Sequence, residues 1–406
     1  MGRTAPSRRK LGLLFTLYFC QGLPGGFLAV VVPVILREQG MSLTTIGLAS
    51  FLSLPWVLKI LWAPLVDRYA SARIGRRKSW ILPAQLGMLA VTATFMVVEP
   101  EHSLLLVVVL FAALNLFAAT QDIAVDGLAV DMLDPGEMGP GNAAQVAGFK
   151  LGNLFGGGVL LALSGWLGWR GDFAVMSACI LGAMLLLLRT PERSVSRAEW
   201  QPGGSTKEVL RTLWRVMRRH GLGLWLLLLY AKFGETFGGA MVKPMLVDHG
   251  FAREQIGFID GIFGAAFTIA GAALAGVLSR KHGWWGVVAV FSAVQGVMLI
   301  AIGVYQTGEI TMTGIIVLNG LENFAGGGVG VGIFALAMGL CEREVGATQF
   351  TAAQVVYMSG AALAAPLSGA VADAVGYLPV MAAGGAMALI LAWLAPTVGR
   401  RRWGAG

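Results

Sequence analysis

Apolar residues run along this 406-residue chain in long blocks, each close to the ~20 residues that a helix needs to cross a bilayer. Twelve such windows can be placed: 11–36, 44–66, 79–98, 104–133, 140–168, 172–189, 222–247, 254–279, 284–305, 310–340, 346–373 and 378–396. Most connections between them are 3 to 13 residues long, which leaves little chain for a soluble domain. The first window follows "MGRTAPSRRK" and runs into "LREQG" without a small-residue cleavage site, so it reads as a retained helix and not a signal peptide. The pattern predicts an all-α polytopic membrane protein with 12 transmembrane helices.

One long polar connection, residues 189–220, divides the windows six and six. The expected organisation is an N-terminal six-helix lobe (1–188), a cytoplasmic linker (189–220) and a C-terminal six-helix lobe (221–406). Within the linker, Val209, Leu213, Val216 and Met217 share one face of a helix while Arg211, Arg215, Arg218 and Arg219 lie elsewhere. That is the pattern of an amphipathic helix on an anionic leaflet.

The two halves also echo one another. "LYFCQGLPGGFLAVVVPVILREQGMSLTTIG" from Leu17 and "LYAKFGETFGGAMVKPMLVDHGFAREQIG" from Leu229 share Leu-Tyr, Gly-Gly, a proline, a glycine and Ile-Gly in order. Ile46 recurs as Ile256 at an offset of 210, and "AAQV" at 143 returns at 352 at an offset of 209. A duplicated six-helix unit predicts a two-lobed carrier with its site between the lobes near the bilayer midplane. The glycines of the first helix in each repeat (Gly22, Gly25 and Gly26 with Pro24; Gly234, Gly238 and Gly239) suit either a broken helix that offers backbone groups to a substrate or close helix packing.

Composition supports the membrane reading and removes one alternative. The chain is 56% hydrophobic and 13% charged, with a mean hydropathy of +0.72, where a soluble domain carries about a quarter charged residues. The net charge of +8 is not spread as a nucleic-acid footprint: Arg and Lys alternate from loop to loop. Arg8, Arg9 and Lys10, the 68–78 loop, the 190–220 loop, Arg280 with Lys281, and Arg400 to Arg402 fall on one side. That side is expected to be cytoplasmic, with both termini on it.

Ionisable residues inside the windows are the candidates for chemistry, because each costs at least ~2.5 kcal/mol at the bilayer centre and normally faces a cavity or a partner. Asp122 and Asp126 in the fourth window are four apart, so they share a helix face and resist ionising together. Lys150, Lys232, Glu235 and Glu322 sit mid-window, and Lys59 also lies within one. Lys232 and Glu235 suit either mutual neutralisation or separate roles, with Lys150 and Lys232 meeting an anionic substrate and a carboxylate carrying a proton. The four histidines all fall in loops or at window ends, so proton coupling would use carboxylates. Asp260 reads as outer gate or solvated rim. Gln21, Asn115, Gln121, Asn153, Asn319, Asn323 and Gln354 add uncharged polar groups that suit either a large polar solute or interhelical hydrogen bonds. Cys20, Cys179 and Cys341 have no disulfide or metal spacing. No Walker loop, nucleophile elbow or metal motif is present in the sequence, so no cofactor and no enzyme activity are expected.

"WAPLVDRYASARIGRRKSW", between the second and third windows, resembles the signature loop of the major facilitator superfamily through Asp67, Arg68, Gly75, Arg76, Arg77 and Lys78. It departs from that pattern at Ala63, where glycine is usual, and by five extra residues before Gly75. With "QGLP" in the first window and "ATQDIAVDG" in the fourth, it resembles the branch that holds AmpG-type muropeptide permeases, acetyl-coenzyme A transporters and rhizobactin/pyochelin-type siderophore permeases. The resemblance implies a major facilitator fold in a bacterial inner membrane, with Asp131 joining the signature loop as gate chemistry.

The expected function is a monomeric, proton-coupled symporter that imports a bulky organic solute by alternating access. The compact chain favours a siderophore over an anhydromuropeptide, since muropeptide permeases of this branch tend to be longer. Efflux by proton antiport uses the same fold, and direction is not legible in the residues. A membrane sensor or an embedded enzyme would need a signalling domain or a catalytic constellation that the sequence does not contain.

Overall fold

The structure is a computed structural model that describes residues 8–69, 71, 74–98, 104–133, 137–191, 222–339 and 346–403. The helix expected over 206–220 and Cys341 lie outside the described residues.

The described residues are almost entirely helical, as lipid requires of backbone groups that cannot reach water. The helices are α1 (Arg8–Glu38), α2 (Leu43–Leu58), α3 (Ala63–Arg68), α4 (Lys78–Phe95) and α5 (Leu104–Met132), followed by α6 (138–167) and α7 (169–189). After the undescribed linker come α8 (Leu222–Gly239), α9 (Val242–Asp248), α10 (253–282), α11 (284–305), α12 (Met312–Gly339), α13 (Gly346–Val375) and α14 (Tyr377–Trp403). Among the described residues, seven continuous helical stretches are long and apolar enough to cross a membrane. Two of them, Ala144–Arg189 and Arg253–Tyr305, are broken at Gly168 (φ 62°) and Gly283 (φ 65°) into α6 with α7 and α10 with α11. The molecule is a multi-pass membrane protein.

The chain forms two compact units. The first holds residues up to Val31 and from Leu52 to Glu208; the second holds Val32–Phe51 and everything from Val209. In the first, buried Phe27, Phe95, Phe111 and Phe173 form an aromatic cluster with the half-buried Trp169, with Phe95 and Phe173 stacked at 4.3 Å between centroids. Trp169 donates its indole N–H to the carbonyls of Phe95 and Val98, at 2.8 and 2.9 Å, which satisfies its one polar atom. The second unit has its own core, built on Trp225, Phe291, Val329 and Tyr357.

Close packing, and not a substrate, takes up the glycines of the first helix. A Cβ on Gly22 would stand 2.4 Å from the carbonyl oxygen of Phe149, and one on Gly26 would stand 2.0 Å from that of Asn153. The contact is reciprocal: Gly148, Gly152 and Gly156 of α6 each face a carbonyl oxygen of α1. Glycines four apart on both helices let the backbones touch, which substitutes for a hydrophobic drive that lipid does not supply. A methyl at Gly152 would lie 2.1 Å from the Phe19 oxygen, so Gly152→Ala must push α1 and α6 apart. The expected cost is ~1–3 kcal/mol, read as a lower midpoint of thermal unfolding in detergent. Both partners depart from α-geometry at the end of this seam, with π turns at Phe27–Val31 and Phe155–Val159; a third lies at Gly257–Phe263 in α10.

Candidate functional site

In the first unit, α5 presents Asp122 and Asp126 one turn apart, and the helices around it give them different partners. Asp122 is buried. Its Oδ2 is paired with the ammonium of Lys59, in the turn just after α2, and its Oδ1 accepts a 2.8 Å hydrogen bond from Gln21 Nε2 of α1. Lys59 lies over the ring of Trp56, 5.5 Å from its centroid, and Trp56 in turn donates to Asn115 Oδ1 at 3.0 Å. Gln121 donates to Gln21 Oε1 at 3.2 Å and to the Leu17 carbonyl at 3.3 Å. Gln21, Asn115 and Gln121 therefore form one buried polar network around a neutralised carboxylate.

Asp126 makes no direct hydrogen bond to that pair but lies within its electrostatic reach. It is exposed, and its Oδ1 accepts the hydroxyl proton of Tyr18 from α1. One carboxylate of the α5 face is thus directly paired with the Lys59 ammonium, while the other takes its hydrogen bond from a neutral hydroxyl and feels the same ammonium without pairing with it. Two acids that would compete for charge in isolation are thus given different direct partners.

The second unit brings its charges together in pairs. Lys232 and Glu235, three apart on α8, form an ion pair; Glu235 also accepts from Tyr357 Oη at 3.3 Å, and Lys232 lies 5.6 Å from that tyrosine ring. Asp260 does not sit on a solvated rim: it pairs with Lys243 at 2.9 Å, with only 13% and 15% of the two side chains exposed. Asn319, buried on α12, stands 3.5 Å from Asp260 and accepts on its carbonyl a 2.9 Å hydrogen bond from Asn323. Glu322 is buried and accepts a 3.0 Å hydrogen bond from Gln295 of α11. Lys150 and Gln354 are exposed on α6 and α13.

The signature loop folds back on α5. Arg77, 5% exposed, donates through Nε to Asp131 Oδ2 at 2.7 Å. Glycine at 127, one turn before Asp131, makes room: a Cβ there would stand 2.2 Å from the Arg77 guanidinium carbon. Lys78 Nζ donates to the Thr190 carbonyl at 2.5 Å, and Ser79 ties the loop through Ser71 N at 2.9 Å. Arg76 is half-buried, Gly75 has a φ of 110°, and the side chains of Asp67 and Arg68 lie outside the described residues.

Sequence reasoning missed Tyr18, Trp56, Lys243, Gln295 and Tyr357. Gln295 and Lys243 had a visible signal, an amide inside the apolar 284–305 block and a cation inside the 222–247 block. Tyr18 and Tyr357 read as ordinary helix residues because their carboxylate partners lie far away in the sequence. Among the described residues, no group of three or more His, Cys, Asp or Glu side chains is placed to hold a metal ion.

A family model described as acetyl-coenzyme A transporter 1 matches residues 10–166. The anhydromuropeptide permease of Escherichia coli (strain K12) is 29% identical over 374 residues, spanning 91% of this chain and 75% of its own. Putative transporter AmpG 4 of Rickettsia felis (strain ATCC VR-1525 / URRWXCal2) is 24% identical over 354 residues, 84% of each chain. Among solved structures, peptide transporter POT superposes with a TM-score of 0.74 at 12% identity, covering 96% of this chain and 94% of its own. A D-xylose-proton symporter gives 0.69 at 15%, covering 95% and 96%. At such identities the last two likenesses are ones of fold.

Proposed function

We propose that this chain, a transporter of the AmpG-like branch of the major facilitator superfamily, imports anhydromuropeptides across the bacterial inner membrane together with protons. The observation that carries the cargo is the 29% identity to an anhydromuropeptide permease across 91% of the chain. Chain length favours a siderophore, but similarity along 91% of this chain bears on the transport core itself.

Twelve crossings are supported by the helix lengths. The two stretches broken at Gly168 and Gly283 raise seven spans to nine, and α2, α4 and α8 are three further apolar helices. With an even number of crossings both termini share a side, which the basic loops assign to the cytoplasm.

The proton is assigned to Asp126. Asp122 already has Lys59 as its counter-charge and Gln21 as a donor, so its ionised form is matched in place. Asp126 has the neutral Tyr18 hydroxyl, and its accessible surface lets a proton come and go. Its protonation removes a charge without stranding a cation. The polar network of Gln21, Gln121 and Asn115 then offers donors and acceptors to a polar cargo nearby.

Uptake of labelled anhydromuropeptide and labelled siderophore, by cells with and without this protein, tests the reading. Anhydromuropeptide uptake should require the protein and collapse with a protonophore, while siderophore uptake should not respond to the protein. Protein-dependent entry of the siderophore alone would overturn the cargo assignment.

A further inference from the structure

Three carboxylates of the second unit lie within its helices, away from the turns that end them: Glu235 on α8, Asp260 on α10 and Glu322 on α12. Glu235 is paired with Lys232, and Asp260 with Lys243 at 2.9 Å. Glu322 has no cation paired with it among the described residues, although it is the most buried of the three. Gln295 Nε2 donates to it at 3.0 Å, and an amide brings no charge. Lys232 acts on it from a distance but is held by Glu235, and the charges of Glu235 and Asp260 reach it as well. A buried carboxylate in this position lacks a counter-ion of its own.

Two neighbouring features leave the place unfilled. Gly326, one turn after Glu322, bares the α12 backbone: a Cβ there would stand 3.0 Å from Gln295 Nε2 and within 4 Å of nothing else. One turn further, a Cβ on Gly330 would meet nothing within 4 Å. On α11, Ser292 lies three residues before Gln295, so the two share a side of that helix. The Ser292 hydroxyl is buried and has no hydrogen-bond partner among the described residues.

Charge decides which chemistry completes this set. A ligand hydroxyl or amide can donate to Glu322 but leaves its charge unmatched. A guanidinium is recognised through both carboxylate oxygens, and Gln295 already holds Oε1. A primary ammonium is compact, carries one full charge and has three donors, enough for the free carboxylate oxygen and for a neighbouring acceptor such as an unused hydroxyl.

We infer that Glu322 is the seat of a primary ammonium on the cargo, with Gln295 as the positioning residue that holds the carboxylate in place. The inference rests on the reading of this chain as an anhydromuropeptide importer. Such a cargo is a sugar with a short peptide attached. Where the peptide includes a diamino acid, one amine stays outside the peptide bonds and is charged at neutral pH.

The test offers the purified protein in liposomes two labelled anhydromuropeptides, one with the diamino-acid amine free and one with that amine acetylated. The unaltered protein should carry both, with a KM about tenfold lower for the free amine, equivalent to ~1.4 kcal/mol. Glu322→Gln should raise the KM of the free-amine form to that of the acetylated form, whose own KM should not change. Glu322→Asp keeps the charge but draws it back by one methylene, and it should show a reduced preference. It carries the test if the amide variant is lost from the membrane, an undiminished preference then overturning the inference. No preference in the unaltered protein, a preference that survives in Glu322→Gln, or an equal loss for both forms in that variant would also overturn it. In each of those cases the unaltered protein still imports anhydromuropeptide, so the cargo reading stands. Uptake of neither form by the unaltered protein removes the cargo reading and this inference with it.

Discussion

Lys59→Ala is expected to destabilise this protein by ~3–5 kcal/mol, because it removes one partner of a buried ion pair and leaves the other charged. Asp122 keeps only 9% of its side chain exposed, and Lys59 keeps 20%, so water replaces little of what the ammonium supplies. Gln21 would remain as a donor to one carboxylate oxygen, but an amide does not neutralise a charge. The measurement is thermal unfolding in detergent, alongside the yield of folded protein from membranes. Lys59→Met combined with Asp122→Asn should recover most of the loss, since an uncharged pair carries no stranded ion. Single and double variants that unfold together would show that the pair does not hold α2 to α5.

Asp126→Asn is expected to abolish accumulation of cargo driven by a proton gradient while sparing exchange of cargo across the membrane at equal concentrations. The amide has nearly the carboxylate's shape and can still accept from Tyr18, so the local packing survives. What it cannot do is gain and lose a proton, and it therefore mimics the protonated form permanently. Tyr18→Phe keeps the carboxylate and should retain accumulation at a reduced rate. Accumulation by Asp126→Asn at the unaltered rate would move the coupling to another group, with buried Glu322 the next to test.

The contrast between these residues and the helices that carry them marks what one sequence can reveal. Helix positions were legible because a membrane span is a local property of about 20 residues, and even the breaks at Gly168 and Gly283 fell where apolar windows ended and began. The Lys232–Glu235 pair was legible for the same reason, since its members are three apart on one helix. The partners of the α5 aspartates were not. Lys59 is 63 residues from Asp122, and Tyr18 is 108 residues from Asp126, so pattern within a window cannot connect them. Nor does the sequence separate the two aspartates, which look alike until α1 and α2 are packed beside them. Asp131 was placed with the signature loop by resemblance, and the structure identifies Arg77 as the residue that meets it. The solvated-rim alternative for Asp260 failed because its cation, Lys243, lies on a different helix, beyond the break after Gly239.

The most direct test of proton-coupled import uses the purified protein in liposomes with an alkaline interior and labelled anhydromuropeptide outside. The account predicts accumulation above the external concentration, decaying to equilibrium when a protonophore is added. Entry that stops at equilibrium whether or not a proton gradient is imposed would contradict it.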